Sequence, residues 1–395
     1  MTTRLVRRSF SGGGCLGVSF FLALLAGAGS VSSHETLTTT VLFDREIVRV
    51  LNAHCVMCHA ADGPAFPLST YEETWLKGRR IRAEVIARHM PPWAAVPGYG
   101  DFANDNGLTL REMQFVVSWV EGLGPRNAGR VFLNVQDPDR PRPREIRAER
   151  HDGHWQVGTP ELTREIAAEL PSSAGVARVV VDPGIASIRH LRALEYQPGN
   201  RRAVRAVFFT VERTGQWLGS WTPWYGFVQL PPKVGHRLPP GSRIVAEIHY
   251  RAGGAPAAER GVLGLFFDES LSALMDTDLT IEARTDRRST PRSVRLQADP
   301  KVRGQATVPL DTYAVALWPE LPAGLTAIEV SARSRAGATE VLLFAKDPPA
   351  EWPTPYVFKK PVLLRAGTSL VVTGSFADGT AAPLRVRVSR YRAPG

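Results

Sequence analysis

Two cysteines and two histidines occur within six residues, in the sequence His54-Cys55-Val56-Met57-Cys58-His59. Two thiols three positions apart, followed at once by a histidine, form the attachment pattern of a c-type haem: the thiols form thioethers and the histidine ligates the iron. A thioredoxin-like motif would follow a strand, whereas the apolar periodicity before Cys55 indicates a helix. A structural zinc site needs four ligands, and no second cysteine pair exists. The pattern predicts covalent haem c on Cys55 and Cys58, with His59 as an axial ligand.

The second axial ligand is expected in the segment His89-Met90-Pro91-Pro92-Trp93. Met90 is the first choice, because two prolines would stiffen the loop that presents its sulfur. His89 is the alternative ligand, and packing of Met90 into the protein core is the alternative role. A Met/His pair raises the reduction potential and leaves no open coordination position, which suits electron transfer.

The elements that must hold these ligands are predicted to be helical. Thr109 and Glu112 fit a capping box at the start of a helix. Met113, Val116, Val117 and Val120 then form its apolar stripe. With the helix before Cys55 and a loop-rich stretch over residues 60–108, these patterns predict a helical domain over residues 35–130.

Beyond residue 130 the composition and the residue pattern of the sequence change. Residues 131–150 are rich in proline and arginine and predict a stiff linker. Short β-branched and aromatic runs separated by Pro/Gly turns then predict two β-sandwiches, over residues 151–270 and 271–395. The runs are Val176–Val181, Ala206–Val211, Arg243–Tyr250, Val262–Phe267, Tyr313–Leu317, Leu325–Val330, Glu340–Phe344 and Ser369–Thr373.

Residues 1–28 match an export signal, with Arg4, Arg7 and Arg8 before the apolar run Cys15–Ala26. This run is too short to span a membrane comfortably, so we expect an exported, periplasmic protein without a transmembrane anchor. The net charge of +10 is spread along the chain, which argues against a nucleic-acid partner. It is compatible with weak attraction to an acidic redox partner.

Two stretches, CVMCHAADGPAFPLSTYEET and HMPPWAAVPGYGDFANDNGLTLREMQFVVSWVEGLGP, resemble the monohaem cytochrome c domain of a group of bacterial exported proteins. In that group the domain is fused to a region similar to copper type II, ascorbate-dependent monooxygenases of the peptidylglycine and dopamine β-monooxygenase superfamily. HWQVGTPEL, EYQPGNRRAV and RLPPGSRIVAEIHYRAGG resemble that region. The resemblance implies a multidomain α plus all-β fold, with a helical cytochrome c domain followed by two jelly-roll-like β-sandwiches.

The monooxygenase resemblance implies two copper sites, but most of the matching positions carry other residues. Arg205 and Ala206 stand where the first site has a histidine pair, and only His249 of the following His-Tyr motif is retained. Glu320 lies where the second site has an H-x-H motif, and no methionine follows Met275. A single imidazole cannot hold copper tightly, so copper is expected to be absent and His249 to be a residual copper-type position.

Three weaker candidates remain. His151 and His154 could bind a stray metal, although a solvated loop pair is the simpler reading. His34 would matter only if signal cleavage exposed it at the N-terminus. An aromatic group could bind a sugar or an apolar ligand, or could pack onto the sandwich. Its members are Trp217, Trp221, Trp224 and Tyr225.

The sequence thus favours a periplasmic monohaem c-type cytochrome that transfers electrons to or from a redox partner protein. The β region would be a docking or ligand-binding scaffold, and enzymatic activity is not expected. One alternative is a copper monooxygenase that receives electrons from its own haem. Another is a haem-bearing assembly component with little redox role.

The missing copper ligands generate a first testable prediction. Metal analysis of haem-loaded protein should find one iron and substoichiometric copper per chain, with no ascorbate-driven oxygen uptake, because one retained imidazole cannot form a copper site. Stoichiometric copper that disappears in His249→Ala, together with oxygen consumption, would contradict this expectation and favour the monooxygenase alternative.

Overall fold

The computed structural model describes residues 39–127, 154–251, 257–285, 301–377 and 381–392. The predicted export signal and linker lie outside these residues, as do His34 and His151. The described residues belong to one compact unit, Thr39–Gly395. None of the helices among them is long and apolar enough to cross a membrane.

The predicted fold class, a helical cytochrome c domain followed by two β-sandwiches, is wrong in its helical part. Strands make up 45% of the described residues and helices 13%. The described part of the chain contains three short α-helices, and the residues between them are mostly loop. Local helical periodicity at both ends of residues 35–130 predicted an independent helical domain. The predicted loop over residues 60–108 instead contains a helix, Tyr71–Ile86, and its part over residues 93–104 packs onto strands.

The helical segments form a small layer with its own apolar contacts. Their bounds are α1 Val48–Val50, flanked by π-helical turns at Phe43–Ile47 and Leu51–Cys55, then α2 Tyr71–Ile86 and α3 Leu110–Glu121. The predicted capping box of α3 is confirmed: the Glu112 N–H donates to Thr109 Oγ1 at 3.2 Å and the Thr109 N–H to Glu112 Oε2 at 2.8 Å. Ile47, Val85 and Trp119 belong to the buried cluster beneath the layer.

The first sandwich is built from ten strands in the described part of the chain. They are β1 Leu162–Leu170, β2 Gly175–Val181, β3 Arg189–Gln197, β4 Val204–Val211, β5 Trp217–Trp221, β6 Phe227–Gln229, β7 Val234–Leu238, β8 Ile244–Tyr250, β9 Ala257–Phe267 and β10 Ala273–Leu274. One sheet has the order β1-β9-β3-β7-β10, with β6 also paired to β3, and the other has the order β2-β8-β4-β5. Alternating apolar residues of both sheets, such as Leu194 and Ile248, fill one buried core.

The second sandwich contains the remaining described strands. They are β11 Leu279–Thr285, β12 Lys301–Thr307, β13 Thr312–Glu320, β14 Leu325–Arg333, β15 Thr339–Lys346, β16 Tyr356–Leu364, β17 Ser369–Phe376 and β18 Leu384–Arg392. They pair in the order β15-β14-β17-β12-β11-β18-β13-β16. Residues of both halves of this sheet, such as Val330 and Val386, share a single core. The sheet therefore folds over on itself, with β15 and β16 as its two ends.

Residues 93–104 join the helical layer to the second sandwich. Ala95 forms a β-bridge with Ala345 of β15, and Phe102 forms one with Phe358 of β16. Trp93 and Phe102 are buried in the core of this sandwich. The loop thus covers both end strands of the sheet, which supplies partners for their backbone groups.

The two sandwiches meet through an aromatic contact and a buried carboxyl group. Phe208 of β4 stacks on Trp318 of β13 with ring centroids 5.0 Å apart. Asp278, in the connection between β10 and β11, accepts a hydrogen bond from the Trp217 N–H at 3.0 Å. Burial raises the pKa of Asp278 to about 6, although this hydrogen bond and the nearby Arg387 lower it. The ionised carboxylate is therefore unfavourable at this junction.

The raised pKa of Asp278 predicts a pH-dependent gain in stability for Asp278→Asn. A neutral Asp278 favours the folded state; this contribution is present below about pH 4 and is lost as the pH rises through about 6. The amide keeps an acceptor for the Trp217 N–H. We expect the variant to gain about 3 kcal/mol in the free energy of unfolding at pH 8 and little at pH 4. Urea unfolding at both pH values measures this, and an equal effect at the two would show that the charge is not responsible.

Candidate functional site

Four of the predicted haem-binding residues line one cavity. Cys55, Cys58, His59 and Met90 surround a space of about 150 Å³ beneath α2. A second cavity of about 480 Å³ adjoins it and shares Met90 as a wall. Val85 and Pro91 are shared walls as well, so the two cavities meet at the segment that presents the Met90 sulfur. The tertiary structure therefore brings the thiols, the imidazole and the thioether to the same space.

The imidazole of His59 is held in one tautomer. Its Nδ1 lies 2.7 Å from the carbonyl oxygen of Phe66. A carbonyl oxygen can only accept, so Nδ1 carries the proton and Nε2 keeps its lone pair. Burial lowers the pKa of His59; the bond to Phe66 opposes this shift, and the positive charge of Arg80 adds to it. The ring is thus neutral at physiological pH and has a free Nε2, as an iron ligand requires.

The other histidine of the motif is engaged at both nitrogens. His54 Nδ1 lies 3.2 Å from the carbonyl oxygen of Asn106, and Nε2 lies 3.2 Å from Glu112 Oε1. Glu112 is also the residue that caps α3. His54 therefore ties the motif to α3, and within the motif it leaves only His59 with a free ring nitrogen.

The two thiols are not set up for redox exchange. Burial raises the pKa of both Cys55 and Cys58 to about 12, and Glu112 adds to the shift at Cys55. Reactive CxxC cysteines instead have a lowered pKa, because the thiolate is the nucleophile. The electrostatics of this pair therefore argue against a thioredoxin-like role.

Met90 and His89 differ in what they face. Met90 is 37% exposed and lines both cavities. His89 is exposed, its Nδ1 lies 3.2 Å from Glu84 Oε2, and it is absent from the described walls of either cavity. The geometry therefore favours the sulfur of Met90 over the imidazole of His89.

Three arginines of the first sandwich donate to the backbone of residues 57–64, the loop that contains Cys58 and His59. Arg201 donates to the carbonyl of Met57 at 3.3 Å and Arg202 to that of Ala61 at 3.0 Å. Arg251 donates to the carbonyl of Pro64. The loop folds back so tightly that a Cβ on Gly63 would collide with the carbonyl of Cys58. The first sandwich therefore holds the loop by charged donors that no local motif indicated.

The cavity also has a wall from the second sandwich. Trp352, in the connection between β15 and β16, lines the space next to the cysteines. The guanidinium of Arg205 lies 5.0 Å from the centroid of its ring. Sequence reasoning missed this tryptophan because nothing in its neighbourhood along the chain links it to the cysteines.

The residues at the predicted copper-type positions make other contacts. His249 Nε2 lies 3.0 Å from Glu247 Oε1, and its ring meets the edge of Phe208. Glu320 pairs with Arg385 at 3.3 Å and with Arg387 at 2.9 Å. In the described ranges, no group of three or more His, Cys, Asp or Glu side chains is arranged to hold a metal ion. Haem attachment needs no such group, because the porphyrin supplies the equatorial ligands.

The remaining candidates do not form a shared surface. Trp217 and Trp221 are fully buried, whereas Trp224 and Tyr225 are half-buried. The predicted aromatic group is thus divided between the protein core and its surface. His154 is exposed, and His151 lies outside the described residues.

Comparison with known proteins gives little beyond a general likeness. No family model matches the chain, and no curated protein matches it. The major capsid protein P2 of bacteriophage PM2 is similar at 9% identity, with 59% of this chain and 98% of that chain covered and a TM-score of 0.26. A peptide-N(4)-(N-acetyl-β-D-glucosaminyl) asparagine amidase is similar at 10% identity, with 59% and 97% covered and a TM-score of 0.29. At these TM-scores the likenesses carry no argument about function.

The arginine contacts predict that Arg201→Met destabilises the protein. The Arg201 side chain is 13% exposed, and its loss removes a charged donor from the Met57 carbonyl. We expect the free energy of unfolding to fall by about 1–2 kcal/mol in urea titrations. Arg178→Met is the matched control, because that side chain is 67% exposed and lies 4.0 Å from Glu247; its effect should stay within about 0.5 kcal/mol. Equal effects of the two substitutions would contradict the role given to Arg201.

Proposed function

We propose that this protein is an exported monohaem c-type cytochrome that carries electrons. The observation that carries the proposal is that Cys55, Cys58, His59 and Met90 line one cavity. In this proposal Cys55 and Cys58 would hold the haem covalently, and His59 and Met90 would ligate its iron. Haem c supplies a one-electron Fe(III)/Fe(II) couple when it is bound.

The donor set fits this group in three respects. His59 offers a free Nε2 because Phe66 accepts the proton on Nδ1. Both thiols are protonated and not joined by a disulfide, and both lie within four positions of His59 in the sequence. Pro91 and Pro92 follow Met90 and line the same cavity, so the segment that presents the sulfur is stiff. Each residue type has the chemistry its proposed role requires.

The same residues favour electron transfer over reactions at the iron. With an imidazole and a thioether both ligating the iron, no open coordination position would remain. The cavity walls near the ligands are largely apolar, with Phe66, Leu68 and Val85 among them. Such a wall limits the access of water, and exclusion of water raises the reduction potential of a haem. The proposed ligand set would therefore leave no place for a substrate at the iron itself.

The proposed partner is an exported one-electron carrier protein. The excess of positive charge in the sequence suits an acidic partner surface. The β region would act as the scaffold that holds residues 57–64 through Arg201, Arg202 and Arg251. The contacts of Arg205 and Glu320 give no specific support to the copper monooxygenase alternative.

The axial ligand assignment predicts the outcome of two substitutions. The full chain, produced in a host with a c-type cytochrome assembly system, should carry one haem that resists extraction. The oxidised protein should show a weak sulfur-to-iron band in the far red, and Met90→Ala should abolish this band and lower the reduction potential. Met113→Ala is the matched control, because Met113 lines only the adjoining cavity. A band that persists in Met90→Ala, or that disappears in His89→Ala, would show that another residue ligates the iron.

A further inference from the structure

We propose that Trp352 closes the haem cavity against water and that Arg205 is the positioning residue that holds it there. This inference rests on the proposed function and extends it to residues of the β region. It assigns an influence on the reduction potential, and on the access of small ligands to the iron, to two side chains that are distant from the CxxCH motif along the chain.

Trp352 has an unusual place among the described residues that line the cavity. The others lie between His54 and Pro92, whereas Trp352 comes from the connection between β15 and β16. It is half-buried, and its ring centroid lies 6.1 Å from that of Trp224 in the first sandwich. A bulky aromatic ring from the second sandwich thus forms the wall that residues 54–92 do not supply.

Arg205 holds this wall from the first sandwich. Its guanidinium lies 5.0 Å from the Trp352 ring centroid, within cation–π range. Its Nη1 donates to Glu351 Oε2 at 2.7 Å and to the Glu351 carbonyl at 3.2 Å. The Arg205 side chain is 20% exposed, so much of it is desolvated against this connection. One side chain therefore fixes both the backbone and the ring of residues 351–352.

Arg205 stands at an irregular point of its strand. The register between β4 and β8 shifts between Val204 and Ala206, which is where Arg205 lies. Such bulges re-aim a side chain relative to a regular strand. The bulge explains how this residue reaches the second sandwich while Val204 stays in the core of the first.

Closure by Trp352 has two physical consequences. A low dielectric around the haem disfavours the more positively charged ferric form, so water exclusion raises the reduction potential. A closed wall would also hinder the entry of an external ligand that could replace Met90. Arg205 acts through the ring, because its own charge is paired with the carboxylate of Glu351.

The first experiment compares Trp352→Ala with Trp352→Phe in the haem-loaded full chain. Reduction potential and the affinity of the ferric protein for free imidazole are measured. We expect Trp352→Ala to have a lower potential and a several-fold higher imidazole affinity, and Trp352→Phe to stay near wild type because it retains an aromatic wall. Unchanged potential and affinity in Trp352→Ala would overturn the proposal.

A double-mutant cycle tests the role of Arg205. Arg205→Gln alone should shift the potential and imidazole affinity in the same direction as Trp352→Ala, and it should add little in the Trp352→Ala background. Arg178→Gln is the control, since this exposed arginine has no described contact with Trp352. Full additivity of the two substitutions would show that Arg205 does not act through the ring.

A haem-free measurement separates this inference from the proposed function. The full chain is produced without cytochrome assembly, and alkylation of Cys55 and Cys58 by iodoacetamide is followed by mass spectrometry. Trp352→Ala should be alkylated several-fold faster than wild type and Trp352→Phe should not, whether or not the protein ever carries haem. Failure to attach haem would overturn the proposed function alone, whereas equal alkylation rates in all three proteins would overturn the closure by Trp352.

Discussion

The structure depends on hydrogen-bond partners for the backbone groups of the two end strands of the eight-stranded sheet. An end strand exposes backbone N–H and C=O groups that need partners. Residues 93–104 supply partners at both ends: the Val96 N–H donates to the Phe344 carbonyl at 2.8 Å and the Ala103 N–H to the Val357 carbonyl at 2.7 Å. Burial of Trp93 among the strands adds an apolar anchor. The segment that follows Met90 is consequently part of the second sandwich.

The pairing of residues 93–104 with both end strands helps to fix the candidate site. It anchors the chain directly after the Met90 segment, and it keeps β15 and β16 where their connection can present Trp352 to the cavity. From the other side, the first sandwich holds residues 57–64 with charged donors such as Arg201. The cavity is thus a joint product of the helical layer and both sandwiches. The β region is part of the site's walls as well as a scaffold beside it.

Local patterns in the sequence predicted several elements correctly. The capping box of Thr109 and Glu112 is present, and the predicted β-rich runs fall within or overlap observed strands. The inference of a separate helical domain failed for a physical reason. Apolar periodicity reports that one face of a helix is buried, but it does not report what buries it, nor where an aperiodic loop such as residues 93–104 will pack.

The sequence by itself determined the chemistry of the motif: two thiols and an imidazole at haem-attachment spacing, and a methionine in a proline-stiffened segment. These features depend on residue types and on neighbours within a turn or two of the chain. Only the tertiary structure decided which nitrogen of His59 is free and which residues build the walls. Arg201 contacts Met57 across 144 positions, and Arg205 contacts Glu351 across 146. Such contacts follow from the packing of sheets, which no local pattern of residues encodes.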